Sequence, residues 1–292
     1  MRLWDEGKLS PETPLAELLP EAAKALPDVT LRHLLSHTSG LRDIPAADKA
    51  PAEGKPFPDV LGAPGCVASA PGESFAYCNF GFGLLGCAIE AATGLNAAEA
   101  VRARVLEPLG MRGTLEGAGL DPETVMPITR VLSRHPAPDL RVTPLGEKPL
   151  GAPDPLRHFG HTAGALYTDA ASLSVLLSML ASGGMHGGAR FLSEKAVAEM
   201  TRGHAVYGRI SPTMAYGLGL LIIRDPKLSS GRILGHQGFA YGCADGAFWE
   251  EGTGRQVIFL NGGCSEARTG RLGVANRDVL RWALRKELPA WK

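Results

Sequence analysis

The sequence predicts a mixed α/β protein of the α+β type, with helices first and an antiparallel sheet under one covering helix last. Three observations carry that expectation. Apolar residues recur at helical spacing up to about Met200. Beyond Tyr216 the pattern changes to short strand-like runs punctuated by glycine. The last two of these runs flank the glycine-containing turn Glu250-Glu-Gly-Thr-Gly254, a hairpin signal.

The elements follow in order. Met1 to Lys8, with apolar Leu3 and Trp4, reads as the last turns of an amphipathic helix that Gly7 stops. A proline-punctuated connector, Leu9 to Pro14, and a polar stretch to Pro27 lead to Thr30, which caps a short helix over Leu31–Ser36. Arg42 to Cys66 is rich in Pro, Ala, Asp and Gly and reads as a long surface loop. Pro71-Gly72 then turns the chain into Tyr77-Cys-Asn79, and a helix follows whose Leu84, Leu85 and Ala88 continue until Thr93-Gly94. Asn96-Ala-Ala-Glu99 is a capping box for a helix reaching Glu107. Residues 113–160 carry little periodicity and are expected to be irregular structure over a cleft.

Gly164 to Asp169 opens a helix with Leu173, Leu176, Leu177 and Leu180 on its core face, ended by Gly183-Gly184. Ser193 caps another helix, through Met200. Strands are expected over Tyr216–Ile223, Arg232–Gly235, Gly242–Trp249 and Gln256–Leu260, and a closing helix presents Val279, Leu280, Ala283 and Leu284. One domain is expected over 1–292, mainly helix and loop in 1–212, with sheet and C-terminal helix in 213–292.

Composition narrows the function classes. Thirty basic and thirty acidic residues cancel, which gives no reason to expect nucleic acid or an anionic membrane as partner. No apolar run approaches the roughly 18–20 residues of a spanning helix. Five cysteines without a C-x-x-C pair read as reduced thiols, and the N-terminus shows no signal-peptide pattern, so a cytoplasmic location is expected of the chain as written. An export signal in a longer form stays open, as does the oligomeric state.

Two stretches carry chemistry. Tyr77 and Asn79, two positions apart at a loop-to-helix junction, are a phenol that can shuttle a proton and a carboxamide that can orient a nucleophile and a carbonyl. The pair alone is a weak signal, and such a pair usually means a half-buried ring and a cap. Gly235-His236-Gln237-Gly238-Phe239 sits on a predicted strand among glycines, where a substrate backbone can lie against the edge and His236 adds a tunable donor. A histidine packed at a strand end explains His236 as well. His33 and His37 at i, i+4 have zinc spacing, but Leu34 stands where a metalloprotease has glutamate, and His158 and His161 lack ligand company. No metal and no organic cofactor are expected. The nucleophile-elbow pentad G-x-S-x-G is absent, its nearest relative being Gly262-Gly-Cys-Ser-Glu266, and Cys78 reads as a small buried thiol.

In order along the chain, these stretches resemble the serine β-lactamase and penicillin-binding-protein superfamily, most of all its class C-like branch of esterases and D-amino-acid peptidases. Leu31-Arg-His-Leu-Leu-Ser-His-Thr-Ser-Gly-Leu41 is similar to that branch's L-L-x-H-T-S-G-L. Pro71 to Gly86 is similar to P-G-x-x-F-x-Y-S-N-x-G-x-x-L-L-G, with Cys78 in place of Ser. Pro108-Leu-Gly-Met111 and Gly164-Ala-Leu-Tyr-Thr also fit, and His236-Gln237-Gly238 stands where the family has Lys-Thr-Gly or His-x-Gly. The resemblance implies a β-lactamase/transpeptidase-like fold and hydrolysis of a small ester, amide or peptide through an acyl-serine. It implies Tyr77 as general base and acid, Asn79 as a substrate and lysine contact, and His236 as the positive or donor group of the third motif. It also places substrate binding along Gln237, Gly238 and Phe239, with the Phe239 N–H as half of an oxyanion hole. Gln237 departs from the usual Thr or Ser, which favours esters or peptides over β-lactams.

The family's S-x-x-K is the largest departure, since no lysine here has a serine three residues before it. Met1 to Lys8 resembles the tail of the helix that carries that motif. The chain as written is therefore expected to be inactive, and to lack the family's first strands, leaving an open sheet edge. A late start site or trimming of a normal hydrolase explains this, as does a non-catalytic binding or regulatory protein. A zinc hydrolase is the remaining alternative.

Overall fold

The computed structural model describes residues 1–118, 120–121, 123–126, 129–130, 139–140, 149–206, 213–240, 243–263, 268–269 and 272–285. The first helices are short: α1 Arg2–Asp5, α2 Leu15–Leu18, α3 Leu31–Leu35, α4 Pro45–Lys49 and α5 Phe57–Leu61. The long helix α6, Asn79–Thr93, follows, then α7, Ala97–Val101, which continues as a π-helical turn over Arg102–Leu106. Helices α8, Ala170–Ala181, and α9, Glu194–Thr201, precede the main sheet, and α10, Val274–Arg285, closes the chain.

That sheet has six antiparallel strands: β1 Ala205–Val206, β2 Met214–Tyr216, β3 Leu221–Ile223, β4 Ile233–Ala240, β5 Cys243–Glu250 and β6 Gln256–Phe259. They lie in the order β6-β5-β4-β3-β2-β1, each strand beside its chain neighbour, so the sheet is a meander that begins at Ala205. The α+β expectation of helices first and antiparallel strands last holds.

Three apolar clusters fix the layers. The first wraps α6, where Phe80, Leu84, Cys87 and Ala88 pack on Leu31 and Leu34 of α3 and on Leu15 and Leu19. The second lies between α8 and α9 and one sheet face, joining Leu177, Leu180 and Val197 to Ile222, Leu234 and Trp249. The third puts Leu280 and Leu284 of α10 on the opposite face, against Leu221, Ile223, Ile233 and Phe248. Fully burying each such side chain contributes roughly 1.5–3 kcal/mol. Met1 and Trp4 extend the second cluster. Asp5 holds the start of α9 by accepting from Ser193 N and Oγ, at 2.7 and 2.6 Å.

Four expectations change. The stretch read as a loop over 42–66 contains α4 and α5, because Pro45 and Pro58 sit at helix starts and Phe57, Val60 and Leu61 bury one face. Tyr216–Ile223 is two strands, since Gly219 takes φ +77° and Gly217 N–H donates to Leu220 O at 2.8 Å, turning the chain back. The strand expected to end at Gly235 runs on to Ala240. The helix expected from Gly164 starts only at Ala170, where the Asp169 side chain accepts from Ser172 N–H. Residues 119, 122, 127–128, 131–138 and 141–148, Gly242, and the Cys264–Glu266 part of the Gly262–Glu266 pattern lie outside the described residues.

Candidate active site

Two segments build the first wall. The stretch from His37 to Gly40 runs beside the loop before α6: Gly72 N–H donates to Thr38 O at 2.7 Å, and Ala76 N–H to His37 O at 2.9 Å. Gly40, at φ +80°, approaches so closely that a Cβ there would lie 2.0 Å from Ser69 O. This pairing holds Tyr77 at the tip of the loop, with 41% of its surface exposed.

The start of α6 is held by a group that the sequence patterns missed. Asp43 accepts from Asn79 N–H (2.9 Å), Phe80 N–H (2.9 Å) and Asn79 Nδ2 (2.8 Å). A carboxylate at a helix N-terminus satisfies orphan donors and meets the positive end of the helix dipole. It also fixes the Asn79 carboxamide. Asp43 is 36 residues away in sequence, so no local signal announced it.

Cys78, the N-cap, accepts from Gly81 N–H at 3.4 Å and donates its own hydrogen to Asp43 at 3.4 Å. Burial, and then the Asp43 charge, push its thiol far above the usual range. Without a thiolate at neutral pH it is no nucleophile.

His37 lies beneath Tyr77. Its ring is tilted against the Tyr77 ring at 4.2 Å between centroids, stacked on Phe82 at 4.8 Å, and meets the edge of Tyr216 at 4.7 Å. Nδ1 accepts from Cys78 N–H at 3.1 Å, so the neutral ring carries its hydrogen on Nε2. That atom is buried with no hydrogen-bond partner among the described residues. Burial, and then the neighbouring His236, lower the His37 pKa to about 3. The backbone adds strain, because at φ +55° His37 is the one non-glycine residue with positive φ among those described. This geometry also removes the zinc spacing: α3 ends at Leu35, and His37 has left its face. His33 uses Nδ1 in the cap of α3, near Thr30 N and Oγ1 at 3.1 Å. His158 Nδ1 faces the buried Glu90 at 2.8 Å. Among the described residues no group of three or more His, Cys, Asp or Glu side chains is placed to hold a metal ion.

The second wall is β4. Gly235 at φ +147° approaches β5 so closely that a Cβ would lie 2.0 Å from Ala247 O. Next comes His236, whose ring centroid is 6.2 Å from that of Tyr77. The two residues expected to flank a site are thus brought together. His236 Nδ1 is 2.8 Å from Gln237 O and Nε2 is 2.8 Å from Tyr216 Oη. Burial lowers its pKa, opposed by the Gln237 carbonyl, so the ring is neutral at neutral pH. Of the positive or donor character expected at this position, burial disfavours the positive form.

Gln237 turns its carboxamide oxygen toward α10, accepting from Gly273 N–H at 3.0 Å and Asn276 Nδ2 at 2.8 Å. Gly238 is exposed and lies opposite Asp245. The Phe239 ring packs at Gly273. Ala244 donates its N–H to Asn261 O, on the β6 side. Phe239, opposite Ala244, therefore turns its own N–H and C=O away from β5, toward the side where β3 pairs only as far as Gly235. An exposed phenol, a fixed carboxamide and a neutral imidazole, beside a strand whose Phe239 backbone turns away from β5, are groups that acyl-transfer chemistry can use.

Comparison with known proteins gives the family and the fold. A model of the Beta-lactamase family matches residues 1–261. Penicillin-binding protein 4 of Amycolatopsis lactamdurans is 33% identical over 124 residues, 39% of this chain and 32% of the relative. Esterase EstB of Burkholderia gladioli is 33% identical over 131 residues, 38% of this chain and 33% of the relative. The matches thus span about a third of each relative's length. A D-stereospecific amidohydrolase from Streptomyces sp. superposes with a TM-score of 0.70 at 24% identity, covering 98% of this chain and 82% of that one. The fold is β-lactamase/transpeptidase-like.

Proposed function

Because the chain belongs to the Beta-lactamase family of hydrolases, we propose that it carries the second half of a serine acyl-transfer site for small esters or amides. The observation behind this reading is the 6.2 Å approach of the Tyr77 and His236 rings beside the outward-turned backbone of Phe239. Tyr77 serves as base toward a serine hydroxyl and then as acid toward the leaving group. Asn79, steadied by Asp43, orients the nucleophile and the substrate carbonyl. The Phe239 N–H gives half of the oxyanion hole, a kind of donor whose loss costs about 10²–10³ in rate. Gly238 leaves room for the substrate, and Gln237 holds the end of β4 in register.

Esters or amides are favoured over β-lactams with a free carboxylate, because His236 is neutral and Gln237 stands where the family usually has Thr or Ser. The relatives named for esterase and amidohydrolase activity fit that choice.

Within these 292 residues no lysine follows a serine at S-x-x-K spacing, so the chain by itself forms no acyl-enzyme. The same observation supports a second reading, a non-catalytic binding or regulatory protein. Nitrocefin and a short-chain p-nitrophenyl ester tell the readings apart. Neither is turned over by the purified 292-residue chain, while a form with an S-x-x-K segment ahead of residue 1 cleaves the ester. Turnover by the short chain that survives controls contradicts the first statement. An extended form that binds but never cleaves supports the non-catalytic reading.

A further inference from the structure

One buried phenol near this site has no role in the reading above. Tyr216, the last residue of β2, is 1% exposed. It meets the edge of the His37 ring at 4.7 Å, lies 5.7 Å from the Phe75 ring and 6.4 Å from that of Tyr77. Its hydroxyl is 2.8 Å from Nε2 of His236. So Tyr216 touches the first wall through its ring and the second through its oxygen.

The protons can be placed from these contacts. A backbone carbonyl only accepts, so the 2.8 Å contact with Gln237 O puts a hydrogen on Nδ1 of His236. The neutral ring then offers a lone pair at Nε2, and Tyr216 must be the donor to it. We infer that Tyr216 is a positioning residue of the acyl-transfer site: its phenolic hydrogen holds His236 as a neutral, Nδ1-protonated ring, and its own ring spaces the two walls. The inference deepens the hydrolase reading and takes its functional meaning from it.

The arrangement has a chemical consequence. Protonating His236 at Nε2 makes that atom a donor, and the Tyr216 hydroxyl must then rotate to accept. The ring keeps a hydrogen bond to Tyr216 in both states, with its direction reversed, so it is the desolvation of the buried ring that disfavours charge. Among the described residues the titratable groups facing His236 are Tyr77, Tyr216 and His37, and His37 is itself held neutral by burial. In place of a fixed cation, the third motif presents an acceptor whose lone pair opens only when a phenol turns.

Long-range ¹H–¹⁵N NMR on the 15N-labelled 292-residue chain reads this directly, with the His236 signals identified by their loss in His236→Gln. The expected pattern is the Nδ1–H tautomer at pH 7. In Tyr216→Phe the Nε2 shift moves to that of an unbonded nitrogen. An Nε2–H tautomer in the parent, or an unchanged Nε2 shift in Tyr216→Phe, overturns the inference. If circular dichroism shows that Tyr216→Phe does not fold, 3-fluorotyrosine is incorporated in a Tyr77→Phe background. The more acidic Tyr216 phenol then moves the Nε2 resonance without removing a side chain, and a resonance that stays put overturns the inference. Neither readout needs turnover, so failure here leaves the hydrolase reading standing, and failed hydrolysis leaves this hydrogen bond standing.

Discussion

At the scale of single residues, the site is held by groups whose partners are far apart in sequence. Tyr77, Asn79 and His236 were legible because they fall in recognisable strings. Asp43 and Tyr216 were not, since a carboxylate capping a helix 36 residues later, or a phenol bonded to a ring 20 residues on, leaves no local pattern. His37 was visible as part of a motif, but its buried, left-handed setting was not.

That setting predicts a pH dependence. The His37 pKa is lowered from 6.5 to about 3 in the folded chain, so the unfolded state takes up the proton first. Stability from this group is complete above pH 6.5 and is lost as pH falls from there toward 3. At pH 5 the loss is about 2 kcal/mol. Urea titrations at pH 7.5 and 5.0 should show that difference shrinking by about that amount in His37→Asn, a residue that tolerates positive φ. An identical pH difference in the two proteins would show that His37 is not the buried neutral group.

Among the elements, α6 is the best specified. Its apolar face and Gly94 stop, at φ +67°, were readable. Its glycines were the hidden part. Gly83 and Gly86 look like weak points of a helix, yet they admit the segment 158–162: a Cβ at Gly83 would lie 2.0 Å from the backbone O of Phe159, and one at Gly86 2.5 Å from the side-chain Oγ1 of Thr162. Gly83→Ala should therefore lower stability despite a helix-propensity gain of about 1 kcal/mol. The net loss expected in chemical denaturation is about 1–3 kcal/mol, and a stabilised variant would mean that the segment is not packed there.

Strand and loop readings erred where one residue overrode a window. Gly219 broke one expected strand into two, and two prolines began helices where they had suggested a loop. Composition reports an average, and a single φ angle or a proline at a helix start decides the local path.

For the whole molecule, the sheet explains why distant strings meet. The β2–β3–β4 meander brings Tyr216 and His236 to one end of the sheet, and the helices around α6 carry Tyr77 and His37 to the same end. The order of elements was legible from the change in periodicity. How strongly the layers cohere was not, because the second apolar cluster draws on Met1 and Trp4 together with residues near 200 and 250.

The central claim is that Tyr77 does proton-transfer chemistry opposite His236 rather than merely closing a loop. Its most direct test is kcat for p-nitrophenyl ester hydrolysis by a form with an S-x-x-K segment ahead of residue 1, measured before and after Tyr77→Phe. Loss of a positioned acid–base group predicts a fall of about 10²–10⁴-fold, with the fold unchanged by circular dichroism. Full activity retained in Tyr77→Phe would contradict the account.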